Sequence, residues 1–485
     1  MCIRDRSVIE CRAVRPARRA RAPMAWGKSA PEGDRPSWLA RIEANDAALR
    51  SVHVLRVRAF DEATQIATAK ALEENEHVRE FYASGHRVSA PAARAWAACL
   101  AINTSIKSMC VGDETFGDDG DDGTESALET TLRGAAHGAA LERLDLEYKG
   151  VRDEHGRALG KCMAQCAMRE LRLGRNEKLG AVGYAATFNG ASEGATLETL
   201  DLTDNALDTA SASALGEFLK SPCPLKRLGL TRCAIGAEGL RAVGAGLASR
   251  ASVEALEMNG VKLGKGGAHA CFGDGLFTIG TQKLSITAVE FVQCEIEDAK
   301  DVEALDSFLA ACPNLVSANL RGNAFGDAGL ATLAKGAFGT RVPESLDLGA
   351  CAITVDAADS LGFVLKASKS LALFDNAGLG DAGVAKIFGA GQGSSLTLLD
   401  LGAVGLTVEG LRAVVKAFEN PQTFSDLRTL VVGGNPGAQD DEWERLVNNL
   451  RAIRPELDVA WRAADGGDDS KLTRDATGRV ISVDN

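Results

Sequence analysis

Leu197-Glu-Thr-Leu200-Asp-Leu202-Thr-Asp-Asn205 is the stretch that decides the fold. Its frame, L-x-x-L-x-L-x-x-N, recurs at Leu225–Cys233, Leu315–Asn323, Pro343–Cys351 and Leu427–Asn435, with Cys in place of Asn in two copies. Weaker copies lie at Met168–Asn176, Val253–Val261, Ile286–Cys294, Ser368–Asn376 and Leu396–Val404, and degenerate ones begin at Val52, Val78, Ile106 and Leu141. Marked by their middle apolar residue, the copies fall at positions 55, 81, 109, 144, 171, 200, 228, 256, 289, 318, 346, 371, 399 and 430. The steps run from 25 to 35 residues and centre on 28 and 29. Such regularity identifies a stacked repeat rather than a chain of separate domains.

Each frame has a physical logic. The L-x-L core alternates with the period of a short strand that buries one face. The Asn or Cys turns the chain out of the strand, and its side chain can meet backbone groups of the next turn. The rest of each repeat reads as a helix: in 237–247, Leu240, Val243, Gly244 and Leu247 form an apolar stripe at helical spacing, and Gly236 and Gly326 sit at turns into helices. One repeat cannot bury its own apolar face, so copies must stack. An α/β solenoid of about 14 repeats is expected, with a parallel sheet inside, helices outside, and the curvature of a horseshoe because helices are wider than strands. Frequent Ala on the helices would permit their close spacing.

The alternation of Asn205, Cys233, Cys294, Asn323, Cys351 and Asn376 at periods of 28 and 29 resembles the ribonuclease-inhibitor-like class of leucine-rich repeats. The resemblance covers roughly residues 50–460 and is specific for fold, while saying little of function. It implies a binding module. The Ran GTPase-activating members of the family share the repeat type and an acidic character, so a GTPase-activating protein for a small Ran-like GTPase is the alternative. Those members carry a long acidic tail, whereas the tail here mixes Asp465, Asp468, Asp469 and Asp475 with Lys471, Arg474 and Arg479. No residue of this chain matches their functional positions. Ribonuclease inhibition is implied at repeat level only, and no nucleotide-binding domain of an immune receptor accompanies the repeats.

Composition agrees with thin stacked layers: aromatics are only 5% of the chain, and Leu, Ala and Gly fill the core instead. The net charge of −12 is uneven, since residues 1–31 carry +6 and the remainder −18. An acidic body disfavours nucleic acid and anionic membrane and favours a basic or polar protein partner. Twelve cysteines in 485 residues do not make a disulfide scaffold, and no apolar run is long enough for a membrane span. A reducing compartment is expected, cytoplasmic or nuclear, or an organelle if the Arg- and Ala-rich N-terminus is a transit peptide. Residues 1–35 are set apart as a basic segment that is disordered or artefactual. The opening Met-Cys-Ile-Arg-Asp-Arg looks like translated adapter sequence, and Met24 is a candidate start. Residues 36–462 form the solenoid with its caps, Ser37–Leu49 at the start and Trp443, Leu446, Val447, Leu450 and Ile453 near the end. The polar tail 463–485 is expected to be disordered. Two long steps imply loops at the rim, the acidic insertion 112–123 and the Gly-rich stretch 260–280.

Several motifs imitate chemistry. Ala22–Ser29 fits a permissive phosphate-loop pattern, but a basic, Pro-containing stretch precedes it and Ser-Ala-Pro follows, where strand and helix are required. Gly190-Ala-Ser192-Glu-Gly194 spells a nucleophile elbow in the wrong order, since this Ser leaves a helix and enters a strand. Cys162 and Cys166 with His155, and His269 with Cys271, lack the four convergent ligands of a zinc site. The six carboxylates of 112–123 lack the calcium-loop ligand spacing. No catalytic residue, metal ligand or cofactor is assigned, and the chain reads as non-enzymatic.

The x positions of the strands point to the concave surface. The central column is Arg56, Tyr82, Cys110, Asp145, Arg172, Asp201, Gly229, Glu257, Glu290, Asn319, Asp347, Ala372, Asp400 and Val431; adjacent columns add Glu147, Arg175, Asp204, Arg227, Arg232, Arg321, Phe374 and Asp375. The candidate partner-binding residues are Tyr82, Asp145, Glu147, Arg172, Arg175, Asp201, Asp204, Arg232, Glu257, Glu290, Asn319, Asp347, Phe374 and Asp400. The competing reading is a generic solvated sheet face. The functional one is a row of exposed carboxylates complementary to a basic surface, with Arg172, Arg175 and Arg232 setting register and Tyr82, Tyr148 or Phe374 as anchors.

Overall fold

The alternation of the repeat frame dictates short strands, and short strands with one apolar face stack only through an equally periodic neighbour. The computed structural model describes residues 36–118, 125–192, 196–249, 252–275 and 283–461, and the backbone of two strands near the C-terminus. Fifteen described strands form one sheet in which every neighbour follows in chain order. They are β1 (Ser51–His53), β2 (Glu80–Ser84), β3 (Ser108–Gly112), β4 (Arg143–Asp145), β5 (Glu170–Arg172), β6 (Thr199–Asp201), β7 (Arg227–Gly229) and β8 (Ala255–Glu257), then β9 (Ala288–Glu290), β10 (Ser317–Asn319), β11 (Ser345–Asp347), β12 (Ser370–Ala372), β13 (Leu398–Asp400), β14 (Thr429–Val431) and β15 (Asp458–Ala460). All pairs are parallel. The middle residues Phe81, Met109, Leu144, Leu171, Leu200, Leu228, Leu256, Val289, Ala318, Leu346, Leu371, Leu399 and Leu430 stand in one register, as the repeat marking requires. They and the residues two further on face the helices and form one continuous core. The fold is an α/β leucine-rich-repeat type of solenoid.

The Asn position works as expected. Asn323 Nδ2 donates to Phe291 O (2.6 Å) in the preceding repeat and Leu320 O (2.7 Å) in its own, while its Oδ1 accepts from Cys294 N and Ile296 N. Asn176, Asn205, Asn376 and Asn435 donate to the equivalent carbonyl pairs. Where Cys replaces Asn, the link to the preceding repeat survives: Cys233 Sγ donates to Leu202 O (3.1 Å), Cys294 Sγ to Met258 O (3.1 Å) and Cys351 Sγ to Leu320 O (3.4 Å), the last also reaching Gly349 O (3.4 Å) in its own repeat. The residue just before the Asn or Cys is left-handed in repeat after repeat, at Arg175, Asp204, Arg232, Gln293, Ala350 and Asp375 as well as at Gly322 and Gly434, and so are Tyr148 and Ala403, which stand before Lys149 and Val404 at the same point of the frame.

The helices approach one another through glycine more than through alanine. A Cβ on Gly244 would lie 1.9 Å from Cys271 O, one on Gly138 1.9 Å from Leu100 O, and one on Gly216 2.5 Å from Ala242 O. Backbone therefore touches backbone at these crossings. Carboxylates staple adjacent repeats: Asp327 accepts from Thr354 N (2.7 Å), Asp381 from Thr407 N (2.7 Å), and Asp153 from Gly180 N (2.6 Å).

Five expectations need correction. In the first repeat the buried middle residue is Val52, paired with Phe81, so His53 and not Arg56 takes the column position, and Leu55 is half exposed. A fifteenth strand, β15, follows with Val459 beside Leu430. The insertion does not protrude from its start, because Phe116 is buried against the core and Gly117 N donates to Lys149 O; residues 119–124 lie outside the described part. The Gly-rich stretch is likewise packed as far as Gly275: Val261, Leu263, Ala268, Cys271 and Phe272 are buried, and a π-helix at His269–Gly275 fills the helix position, while residues 276–280 lie outside the described part. The tail, expected to be disordered, contains two antiparallel strands, Leu472–Arg474 and Val480–Val483, whose β-branched residues favour that pairing. Near the two ends of the sheet, Leu39 and Ile42 of helix Ser37–Glu43 are buried, as are Trp443, Val447 and Leu450 of helix Asp441–Ile453. Residues 1–35 and the phosphate-loop imitation within them lie outside the described part.

Candidate binding face

The strand pleat sends Leu200 and Leu202 to the helices and Thr199 and Asp201 to the opposite, concave side. On that side one column runs His53, Tyr82, Cys110, then Asp145, Arg172, Asp201, Gly229, Glu257, Glu290, Asn319, Asp347, Ala372, Asp400, Val431 and Ala460, with strand registers aligning successive members. From Asp145 to Asn319 the polar side chains are half-exposed. Arg172 pairs with Glu170 (2.6 Å) and lies between Asp145 and Asp201. Burial tends to lower its pKa, but Glu170 first, then Asp145 and Asp201, more than offset this and hold the guanidinium firmly charged. Arg227 pairs with Glu257 (3.1 Å), Arg143 with Glu80 (2.8 Å), and Arg232 grips Asp204 through two hydrogen bonds of 2.5 Å each. Asn259 Nδ2 donates to Glu290 (2.9 Å). Tyr148 is half-exposed with Arg175 above its ring at 5.1 Å, and Arg321 lies over Phe374 at 4.9 Å.

The structure therefore brings the candidate residues Tyr82 through Asp400 onto one face, with two qualifications. First, the aspartates have a second job: Asp145, Asp201, Asp347 and Asp400 each accept a hydrogen bond from the backbone N–H two residues on, at Glu147, Thr203, Gly349 and Gly402. Asn319 does the same for Arg321 N. Such Asx turns end the strand, so these positions are structural as well as surface-lining. Second, Asp347 and Asp400 are buried, at 3% and 2% exposure, against the expectation that the row is open throughout. Tyr82 spends its hydroxyl on Ser108 (2.5 Å) and stacks on His53 at 4.8 Å. Lys149, overlooked in the sequence because it falls outside the column, is buried beneath the face and donates to Ser84 Oγ (2.8 Å).

The side chains that imitate chemistry sit in structural roles. His155 is buried; its Nδ1 accepts from Arg152 N (2.9 Å), so in the neutral ring Nε2 donates to Ser126 Oγ (2.9 Å) and does not abstract its proton. Cys162 and Cys166 are buried with sulfurs 3.8 Å apart, and the hydrogen bond that Cys162 shares with Cys166, together with burial, raises the Cys162 pKa. Burial pushes Cys110, Cys233, Cys271, Cys294 and Cys351 up to about 12. Ser192 ends the helix Ala181–Ser192, and residues 193–195 lie outside the described part. Among the described residues no three His, Cys, Asp or Glu side chains converge as metal ligands would, and no helix is long and apolar enough to cross a membrane.

The sequence profile of the Leucine Rich repeat family matches residues 195–216, 221–244 and 311–334. The chain is built of leucine-rich repeats and is similar to the ribonuclease-inhibitor-like class of them. The leucine-rich-repeat region is 30% identical over 258 residues to the ribonuclease inhibitor of Sus scrofa, covering 52% of this chain and 55% of that protein. It is 30% identical over 255 residues to the NACHT, LRR and PYD domains-containing protein 5 of Bos taurus, covering 51% of this chain and 22% of the other. A third relative, the human NACHT, LRR and PYD domains-containing protein 12, is 29% identical over 47% of this chain and 22% of its own length. The chain thus spans little more than half of the inhibitor and about a fifth of the two larger relatives. Among solved structures, that of the Rad7 and Elc1 complex in yeast aligns at a TM-score of 0.44 and 14% identity, over 84% of this chain and 89% of that one.

Proposed function

We propose that this leucine-rich-repeat protein is a non-enzymatic interaction scaffold whose concave face, from β4 to β10, docks a basic or polar surface of a partner protein. The observation that carries the reading is the half-exposed column Asp145, Arg172, Asp201, Glu257 and Glu290 on a rigid parallel sheet, with Tyr148 and Arg175 at its rim. Exposed charges contribute little affinity singly, about 0–1 kcal/mol each, and act on orientation and encounter rate. Energy must come from desolvated anchors, for which Tyr148 is the best placed. The domain reading that supports this places the working unit at 36–462, in a reducing compartment, where the ten buried free thiols among the described residues are tolerated.

The test is affinity capture with the full chain beside a variant carrying Glu147→Lys, Glu257→Lys and Glu290→Lys. These substitutions leave the turn-forming aspartates in place and act on side-chain pairs, Arg227 with Glu257 and Asn259 with Glu290; circular dichroism and the thermal midpoint of the variant check that it folds. A partner held by the native face and lost by the variant supports the reading; equal retention refutes it. A ribonuclease belongs among the baits, because that is the named target of one relative. No described residue favours the Ran-type GTPase-activating alternative, which would regain ground if the retained protein were a small GTPase.

A further inference from the structure

The sheet is open at its first strand. In a parallel ladder, alternate residues of a strand bond to the neighbour on one side and the rest point to the other. Arg50 O accepts from Glu80 N, and Val54 N donates to Tyr82 O. Arg50, Val52 and Val54 therefore serve β2, while Ser51 and His53 aim their N–H and C=O groups away from it. Among the described residues no strand pairs with that side. The helix Ser37–Glu43 closes the core behind the sheet instead: its Trp38 meets Phe60 and Phe81 edge-on, at 6.0 and 6.3 Å. Natural edges are blunted by Lys, Pro, a bulge or brevity. β1 has only its brevity, and it runs straight into Leu55 and Val57, which are 49% and 87% exposed. These are two of the six exposed large apolar side chains among the described residues.

Arginines flank this edge, Arg50 before it and Arg56 after it, both exposed. The Arg50 guanidinium reaches a carbonyl, His77 O (3.4 Å), and the Arg56 stem lies along Gly85, 3.0 Å from its Cβ position. Acids of these first repeats are engaged elsewhere: Asp46 pairs with Arg41 (2.6 Å), Glu80 with Arg143 (2.8 Å), and Asp61 accepts from Thr64 N (2.8 Å) at a helix start. We infer that β1 is a docking edge for an extended acidic segment of a partner protein. The segment adds as a further strand, exchanging main-chain hydrogen bonds with Ser51 and His53. Its apolar side chains cover Leu55 and Val57, and its carboxylates meet Arg50 and Arg56. Charge selects this occupant. Residues 1–31 of the chain carry +6, and a second copy would bring the same two arginines, so both meet like charge at this edge. The site is separate from the acidic column of β4 to β10 and stands independently of the basic-partner reading.

The test uses the full chain and a synthetic peptide, Glu-Thr-Val-Thr-Val-Thr-Glu. Its β-branched centre favours a strand, and its acids stand six positions apart, as Arg50 and Arg56 do. At saturating peptide, hydrogen exchange of the Ser51 and His53 amides should slow about tenfold. The same peptide with Lys at both ends should leave that exchange unchanged. In the variant Arg50→Glu, Arg56→Glu the preference between the two peptides should reverse. His53→Pro removes an outward N–H and no bond to β2, so it should weaken the acidic peptide about tenfold in fluorescence anisotropy. Circular dichroism checks that both variants fold. Equal protection by the two peptides overturns the acidic partner, and protection by neither overturns the docking edge. Slow exchange of Ser51 and His53 before any peptide is added also overturns it. The occupant would then be a second copy if the protection fades on dilution, and another part of the same chain if it persists.

Discussion

Asn323 joins two repeats with five hydrogen bonds, and its replacement by alanine would remove the Asn partner of three carbonyls and two amides. An unsatisfied buried group costs about 1–3 kcal/mol, so Asn323→Ala should lose roughly 3–5 kcal/mol after local relaxation. Asn323→Cys should lose distinctly less, because cysteines at 233 and 351 already hold the link to the preceding repeat with one thiol. Chemical denaturation of both variants checks the order; equal losses would contradict the shared role. The Asn and Cys positions were legible from the frame alone. The double duty of the column aspartates was not, since the frame marks them only as solvent-facing. Asp201→Asn should therefore keep stability while removing charge, as Asn319 already makes the same turn, whereas Asp201→Lys should destabilise by about 1 kcal/mol. Acid should be felt at a helix cap: Asp208 accepts from Ser211 N (2.7 Å), and that backbone bond, with the Ser211 hydroxyl, lowers its pKa. A lowered folded pKa stabilises above the unfolded value, near about 3.9, and is lost as pH falls through the folded one. Thermal midpoints of the wild type and Asp208→Asn, which caps without titrating, should differ in slope below that pH and run parallel above it.

At the scale of elements, the strands were readable and the helix contacts were not. Thirteen of the marked middle residues fall in one register because L-x-L alternation can place its apolar pair on only one face. The first repeat slipped because Val52 and Leu55 both fit an apolar middle position, and only pairing with Phe81 selects Val52. β15 escaped notice because no Asn or Cys follows Val459. Which glycines matter depends on helix spacing, a property of neighbouring repeats and not of any one sequence window. Gly244 is the clearest case, with a Cβ position 1.9 Å from Cys271 O. Gly244→Val would force helix Ala237–Ser249 away from the π-helical turn at His269–Gly275 and should cost about 3 kcal/mol by overpacking. Gly236, around whose Cβ position nothing lies within 4 Å, should accept Ala with little change. Denaturant midpoints of the two variants separate a packing effect from glycine's general influence on chain entropy.

For the whole molecule, a sheet stacked in register behaves as one rigid ruler, so charge along it acts at a distance while anchors act on contact. The two should separate kinetically. Once a partner is in hand, the wild-type association rate should fall steeply as ionic strength rises, because the Debye length shortens from roughly 30 Å at 0.01 M to about 10 Å at 0.1 M. The triple variant Glu147→Lys, Glu257→Lys, Glu290→Lys should lose that dependence and associate slowly at every salt concentration. Tyr148→Ala should leave the association rate and its salt slope alone and speed dissociation by about tenfold, the ordinary consequence of losing an aromatic anchor worth about 1–2 kcal/mol. Surface plasmon resonance at several salt concentrations measures both. If Tyr148→Ala changed only the association rate, the ring would serve to hold Arg175 in the charged face, and the anchor would have to be sought among the half-buried side chains nearer Phe374. If neither variant changed either rate, the partner would be bound through the helices on the outside, and the concave charges would be those of a solvated sheet.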